Sequence, residues 1–268
     1  MVTQTWLGFI GAGKLAGSVI RGLLRAKFCE PGAIIASEPN EQLRAALREA
    51  TGIVVTAENA EVVGKAEVIL LGVKPGVVVP MIREITDRLT GKLAVSLAAG
   101  IRLADMEKHA DARFMRVLTN TPSAIRQGAS ALARGTRTTD ADVARVEEIF
   151  RAVGSVVEVE EEQIDAVTAL SGSGPAFVYS VIEALATGGE KEGLPANVAL
   201  TLASQTVLGA AQLALESGLS PDELRHQVIT PGGTTAAGLA QMEKHETAAG
   251  LIAAVKAAAA RGREMARS

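Results

Sequence analysis

The chain has 268 residues, 48% of them hydrophobic and 21% charged, with a formal net charge of −3. That supplies apolar material for one large core or two modest ones and excludes wholesale disorder. The acidic balance leaves no basic footprint for nucleic acid, the single cysteine (Cys29) excludes an internal disulfide, and the widely spaced His109, His226 and His245 argue against a metal centre.

Residues 5–10 form a short apolar strand candidate that runs straight into glycines, too short for a secretory signal. With one thiol and no such signal, a cytoplasmic setting is expected. Residues 14–26 follow with helical spacing of Leu15, Val19, Leu23 and Leu24. A second strand is expected at 33–36 and a second helix at 40–50, capped by Asn40. Strands are then predicted at 53–55, 68–73, 93–97, 114–118, 130–133 and 156–159, with helices at 80–89 and 140–152. The run at 68–73 is wholly apolar, as for a strand covered on both faces. This alternation predicts right-handed crossovers and a mostly parallel sheet.

After residue 162 the strand signals stop and alanine-rich helical periodicity takes over. Helices are predicted at 175–187, 196–216, 235–244 and 247–263, with another opened by the capping box Ser220-Pro221-Asp222-Glu223. The apolar stretch 198–215 is read as a buried helix rather than a membrane span. A bundle whose contact positions are mostly alanine and glycine has little apolar volume of its own, so it is expected to bury surface against a second copy. The expected division is 1–162, an α/β domain, and 163–268, a helical domain that pairs with a second copy.

Two glycine-rich turns carry the chemistry. In the first, Gly11-Ala12-Gly13-Lys14-Leu15-Ala16 follows a strand and opens a helix. Gly11 would permit the tight turn, Gly13 the close approach of a pyrophosphate, and Ala16 the packing of helix on sheet. The second strand ends at Ser37-Glu38, where an acid normally accepts from ribose hydroxyls and favours NAD. A carboxylate about 4 Å from a 2′-phosphate costs roughly 1 to 4 kcal/mol. Alternatively, Glu38 faces solvent and Ser37 bonds the phosphate of NADP; the residues leave both open. The second turn, Thr230-Pro231-Gly232-Gly233-Thr234-Thr235, also leads into a helix, whose bare N–H groups suit a small anionic substrate.

Taken with Val73-Lys74-Pro75, Thr119-Asn120-Thr121-Pro122 and the segment from Asp165 to Ala176 that contains Ser171-Gly172-Ser173-Gly174-Pro175, this second turn resembles pyrroline-5-carboxylate reductase. The likeness covers essentially the whole chain, in the same order and spacing. It implies reduction of Δ1-pyrroline-5-carboxylate to L-proline by NADPH or NADH, on a Rossmann domain joined to a helical domain. It also implies that two chains intertwine as a homodimer and that five dimers can form a decamer. The substrate carboxylate would lie on Gly232, Gly233, Thr234 and Thr235, with Ser173 near the same pocket and the Thr235 hydroxyl on the ring nitrogen. Asn59, Val73, Lys74, Pro75, Ala98, Ala99, Asn120, Pro122 and Glu161 would border the cofactor. Gln227 stands where some members carry an asparagine close to substrate.

Other readings compete at particular residues. Lys74 suits a cofactor-edge role better than a catalytic one. Phe177 and Tyr179 fit a helix core, and the acids around residue 160, Glu161 apart, fit a solvated linker. Cys29 has no neighbouring base in sequence. A 3-hydroxyacid dehydrogenase would need a lysine on the first helix after the linker, and residues 175–187 contain none. A deazaflavin-dependent NADP reductase would share only the first half. A non-catalytic dinucleotide sensor would not need Thr235.

Overall fold

The structure is a computed structural model in which residues 7–265 are described; positions 5 and 6 of the first expected strand lie outside that range. In chain order come β1 (Leu7–Ile10), α1 (Lys14–Arg25), β2 (Ile34–Ser37), α2 (Glu41–Thr51), β3 (Val54–Thr56), α3 (Asn59–Lys65), β4 (Val68–Leu71) and α4 (Pro75–Glu84). Then come α5 (Thr86–Leu89), β5 (Leu93–Ser96), α6 (Leu103–Glu107), β6 (Arg113–Leu118), β7 (Gly128–Arg134), α7 (Asp140–Arg151) and β8 (Gly154–Glu158). The strands make one sheet in the order β3-β2-β1-β4-β5-β6-β7-β8.

Every pairing is parallel except β6 with β7. Only residues 119–127 separate those two strands, too few for the crossover a parallel neighbour requires. Side-chain alternation sends β1 and β4 residues to both faces. Leu7, Phe9, Val68 and Leu70 join α1 and α7 in one apolar cluster, while Ile10, Ile69 and Leu71 join α3, α4 and α6 in another. Burial on both faces is why 68–73 reads as continuously hydrophobic.

The structure differs locally from the sequence reading at three places. The helix expected from residue 80 begins at Pro75, which takes the N1 position that tolerates a missing N–H. Pro80 then sits inside the helix, with it and Gly76 exposed, so water can serve the carbonyl left without a partner. α3 and α6 carry only two buried side chains each, too few to show a period. The first long helix after the linker runs on past residue 187.

That second half comprises α8 (Ile164–Val167), a π-helical turn (Thr168–Gly172), α9 (Gly174–Lys191), α10 (Ala196–Glu216), α11 (Pro221–Gln227), α12 (Thr234–Lys244) and α13 (Thr247–Met265). The chain forms two compact units: one up to Ser173 together with the segment from Ala257, and the other Gly174–Lys256. This boundary falls beyond residue 162 because Ile164 packs with Leu118 and Ala133 of the sheet.

In the helical unit α9 and α10 meet through Ala186, Ala199 and Ala203, with Ile182 beside them. Nothing in that contact is larger than isoleucine, so the helices come close but cover little. By length and composition α10 could cross a membrane, yet only 11% of its apolar window is buried within the chain. The expectation of a buried helix therefore fails for the single chain. Leu200, Leu202, Leu208 and Leu213 are each more than half exposed, as is Tyr179 on α9, which is not core either.

Candidate active site

β1 lies between β2 and β4, so strand order reverses beside it and the crevice at the strands' carboxyl ends is the natural ligand position. The glycine turn fills that place. Gly11 has φ +82, and a Cβ there would come within 2.7 Å of Val73 Cγ1, so both conformation and packing demand glycine. Its N–H donates to the Ser37 carbonyl at 3.1 Å, tying the turn to the end of β2. Gly72 must lack a side chain to admit Ala16, because a Cβ there would lie 2.7 Å from Ala16 Cβ.

Gly13 is different. It is the N-cap of α1, no side chain caps the helix, and its first turn holds no acid. A Cβ built on Gly13 would meet nothing within 4 Å. Open space above bare N–H groups fits a pyrophosphate. The space opens into a cleft of ≈ 540 Å³. Gly13, Lys14 and Leu15 form one wall, and Val73, Lys74 and Pro75 another. Ala98 and Ala99 after β5 and Asn120 after β6 continue it, and Thr168, Gly172 and Ser173 close the far side.

Gly13, Lys14, Leu15, Val73, Lys74, Pro75, Ala98, Ala99 and Asn120, all named above for the cofactor, thus come together in one cleft, and Ser173, grouped with the substrate turn, lies among them. The neighbours Leu97, Leu118, Thr119, Thr121 and Thr168 also line the cleft. Thr119, Thr121 and Thr168 lie inside the quoted motifs, Leu118 ends β6 and Leu97 follows β5. Asn120 is tied up at both ends: Oδ1 accepts from Ala129 N–H, and Nδ2 donates to the Ser171 carbonyl, each at 3.0 Å. It thereby fixes the π-helical turn to the sheet.

Ser37, Glu38 and Asn59 lie off the cleft at the end of β2, where Ser37 Oγ donates to Asn59 Oδ1 at 2.8 Å. Pro122 is not in the wall; it occupies the 3-10 turn Thr121–Ile125. Glu161 is not among the residues lining the cleft. Its Oε1 accepts from Leu103 N–H at 2.6 Å and from Arg116 Nη1 at 3.2 Å, so it caps α6 and neutralises a guanidinium whose side chain is 3% exposed. Burial pushes the Arg116 pKa down and the Glu161 carboxylate opposes that shift. An inward arginine on a strand that otherwise reads apolar was the available signal for an acidic partner.

Gly232, Gly233, Thr234 and Thr235 gather at the start of α12. Gly232 has φ +72, and Gly233, the N-cap, has its N–H on the Thr230 carbonyl at 2.9 Å. No side chain caps this helix either. Thr235 is half-buried and Thr234 exposed.

Fold and site together define a Rossmann-type dinucleotide-dependent oxidoreductase with a helical second unit. Residues 161–265 match the family profile for pyrroline-5-carboxylate reductase dimerisation, and residues 6–100 match that for coenzyme F420-dependent NADP oxidoreductases. The pyrroline-5-carboxylate reductase of Arabidopsis thaliana is 44% identical over 98% of this chain and 96% of that protein. The Coxiella burnetii pyrroline-5-carboxylate reductase structure superposes with TM-score 0.90 at 34% identity, covering 99% of this chain and all (100%) of that one. The Plasmodium falciparum enzyme, solved with NADP bound, gives TM-score 0.90 at 27% identity over 99% of both chains. This chain belongs to the pyrroline-5-carboxylate reductase family.

Proposed function

We propose that the protein reduces Δ1-pyrroline-5-carboxylate to L-proline with NADPH or NADH, working as a homodimer. The observation that carries this reading is the likeness to the named reductases across nearly the whole chain, the substrate turn included. The nicotinamide supplies a hydride. The protein's tasks are to bind, align and exclude water. Gly13 and the first N–H groups of α1 hold the pyrophosphate, with the Lys14 ammonium adding charge. Val73, Lys74, Pro75, Ala98, Ala99 and Asn120 shape the channel beyond it.

The first N–H groups of α12, around Gly233, Thr234 and Thr235, donate to the substrate carboxylate. The Thr235 hydroxyl holds the ring nitrogen, so no histidine or lysine base is required. Lys74 stays at the cofactor edge.

The functional division proposed is 1–162 for cofactor and 163–268 for dimerisation and substrate. The exposed leucines of α10, with Leu251 and Ile252 of α13, supply an apolar surface for a second copy. Assembly of five dimers into a decamer and a cytoplasmic setting complete the reading; the single half-buried thiol of Cys29 accords with the latter.

The 3-hydroxyacid dehydrogenase alternative gains nothing from α9. The helix does reach a lysine, Lys191, but this lies in its last turn, roughly 25 Å along the axis from Gly174 at 1.5 Å per residue. The purified protein should oxidise NADPH or NADH only when pyrroline-5-carboxylate is supplied. Turnover of 3-hydroxyisobutyrate with none of the imine would reject the assignment.

A further inference from the structure

The π-helical turn that closes the far side of the cleft has a backbone acceptor whose helical donor is missing, and a side chain from the sheet supplies one. From Ile164 the chain runs through α8 and the turn into α9, with Ser173 still in right-handed helical conformation. In an unbroken helix the Ser171 carbonyl would accept from the N–H of residue 175, which is proline and has none. Asn120 Nδ2 instead reaches that carbonyl at 3.0 Å, from a position 51 residues earlier.

Asn120 is 7% exposed and stands at the end of β6 as the N-cap of the 3-10 turn that contains Pro122. Its Oδ1 accepts from Ala129 N–H at 3.0 Å, so the amide cannot rotate without giving up a bond at each end. The turn has little else to hold it. Its single buried side chain is Ala169. Thr168 and Ser171 spend their hydroxyls on the carbonyls of Ile164 at 2.8 Å and Val167 at 3.0 Å, along their own helix and not on the sheet. Yet the turn carries Thr168, Gly172 and Ser173 into the cleft wall that Asn120, Ala98 and Ala99 continue. A misplacement of about 1 Å in such a wall can cost on the order of 10²-fold in rate.

We infer that Asn120 is a positioning residue for hydride transfer: by supplying the donor that Pro175 lacks, it holds the π-helical turn at the distance from β6 that aligns the reactive end of the cofactor. The kinetic consequence rests on the proposed reaction, whereas the clamp itself does not.

Asn120→Ala, Pro175→Ala and the double variant of the full chain test it. Asn120→Ala should lower kcat by about tenfold or more, leave KM for the cofactor within about threefold, and raise the isotope effect measured with 4-deuterated reduced cofactor, because the hydride step becomes limiting. Hydrogen exchange followed by peptide should show residues 168–173 exchanging about tenfold or more faster, with the sheet strands unchanged. Asn120→Asp keeps an acceptor for Ala129 and loses only the donor, so it should match Asn120→Ala in exchange and in kcat. Pro175→Ala alone should resemble wild type. In the double variant the new N–H at residue 175 can serve the Ser171 carbonyl, so protection and kcat should each recover by about threefold or more over Asn120→Ala. Unchanged exchange in both Asn120 variants, a raised KM with kcat intact, or no recovery in the double variant would overturn the assignment. Loss and rescue of protection in a protein that does not reduce the imine would support the clamp and reject the reaction.

Discussion

Thr235 carries the sharpest functional expectation. Replacing it with alanine removes a hydroxyl from a half-buried helix-start position and leaves the cofactor cleft untouched. Thr235→Ala should lower kcat by on the order of 10²-fold, with cofactor affinity by fluorescence titration unchanged. Glu161 belongs to stability instead. Glu161→Ala strands the Arg116 guanidinium, whose Nε and Nη2 already lack partners, and frees the N–H of Leu103. Loss of a buried charge partner should cost about 3–5 kcal/mol in a urea titration, with little change in KM for the cofactor in the folded fraction. A third residue sets the acid limit. Burial works to raise the Asp142 pKa, but the Thr139 N–H and hydroxyl together with Arg113 outweigh it and hold the carboxyl below its usual range. Its folded pKa is thus depressed, so its contribution is complete above the unfolded value of about 3.9 and fades as pH falls through the folded one. The wild-type urea midpoint should drop through that window, and Asp142→Asn should lower the neutral-pH midpoint while flattening the acid limb.

Among elements, α1 carries the proposed cofactor cradle, and its N-terminus has no side-chain cap. Gly13 has open space where a side chain would go, so Gly13→Val should fold, keep its thermal midpoint within a few degrees, and lose cofactor binding by about tenfold or more. An unaffected affinity would show that the cradle is not used. Gly11 makes the contrast: a side chain there meets Val73 and the left-handed backbone together, so substitution damages folding and binding at once. The elements that sequence reading missed or displaced have two causes. α3 and α6 are short pieces held by two buried side chains each, and the start of α4 depends on which of two prolines takes the first turn. By contrast Asn40, Ser220 and Thr139 all cap helices through local side-chain bonds, two of which the residue order announced.

Assembly dominates the behaviour of the protein as a body. α10 carries exposed leucines on both of its sides, Leu200 and Leu208 on one and Leu202 and Leu213 on the other, and full burial of each leucine contributes about 1.5–3 kcal/mol. Leu202→Glu should therefore shift sedimentation from dimer toward monomer at micromolar concentration and lower the thermal midpoint, since monomer stability is linked to association. A variant that sediments like wild type would place the interface elsewhere.

The order of residues alone was enough for the sheet–helix alternation, the helical second half and the two glycine turns, because these depend on local periodicity, capping and left-handed backbone. It was also enough for most of the cleft wall, since Val73, Ala98 and Asn120 follow strands that end at one edge. Other features needed the folded chain. The partnership of Arg116 with Glu161 and the commitment of Asn120 to Ser171 join residues about fifty positions apart. The exposure of the α10 leucines is likewise a property of the folded chain. Each is a matter of which groups meet in space, and that depends on packing between distant segments, on which sequence periodicity is silent.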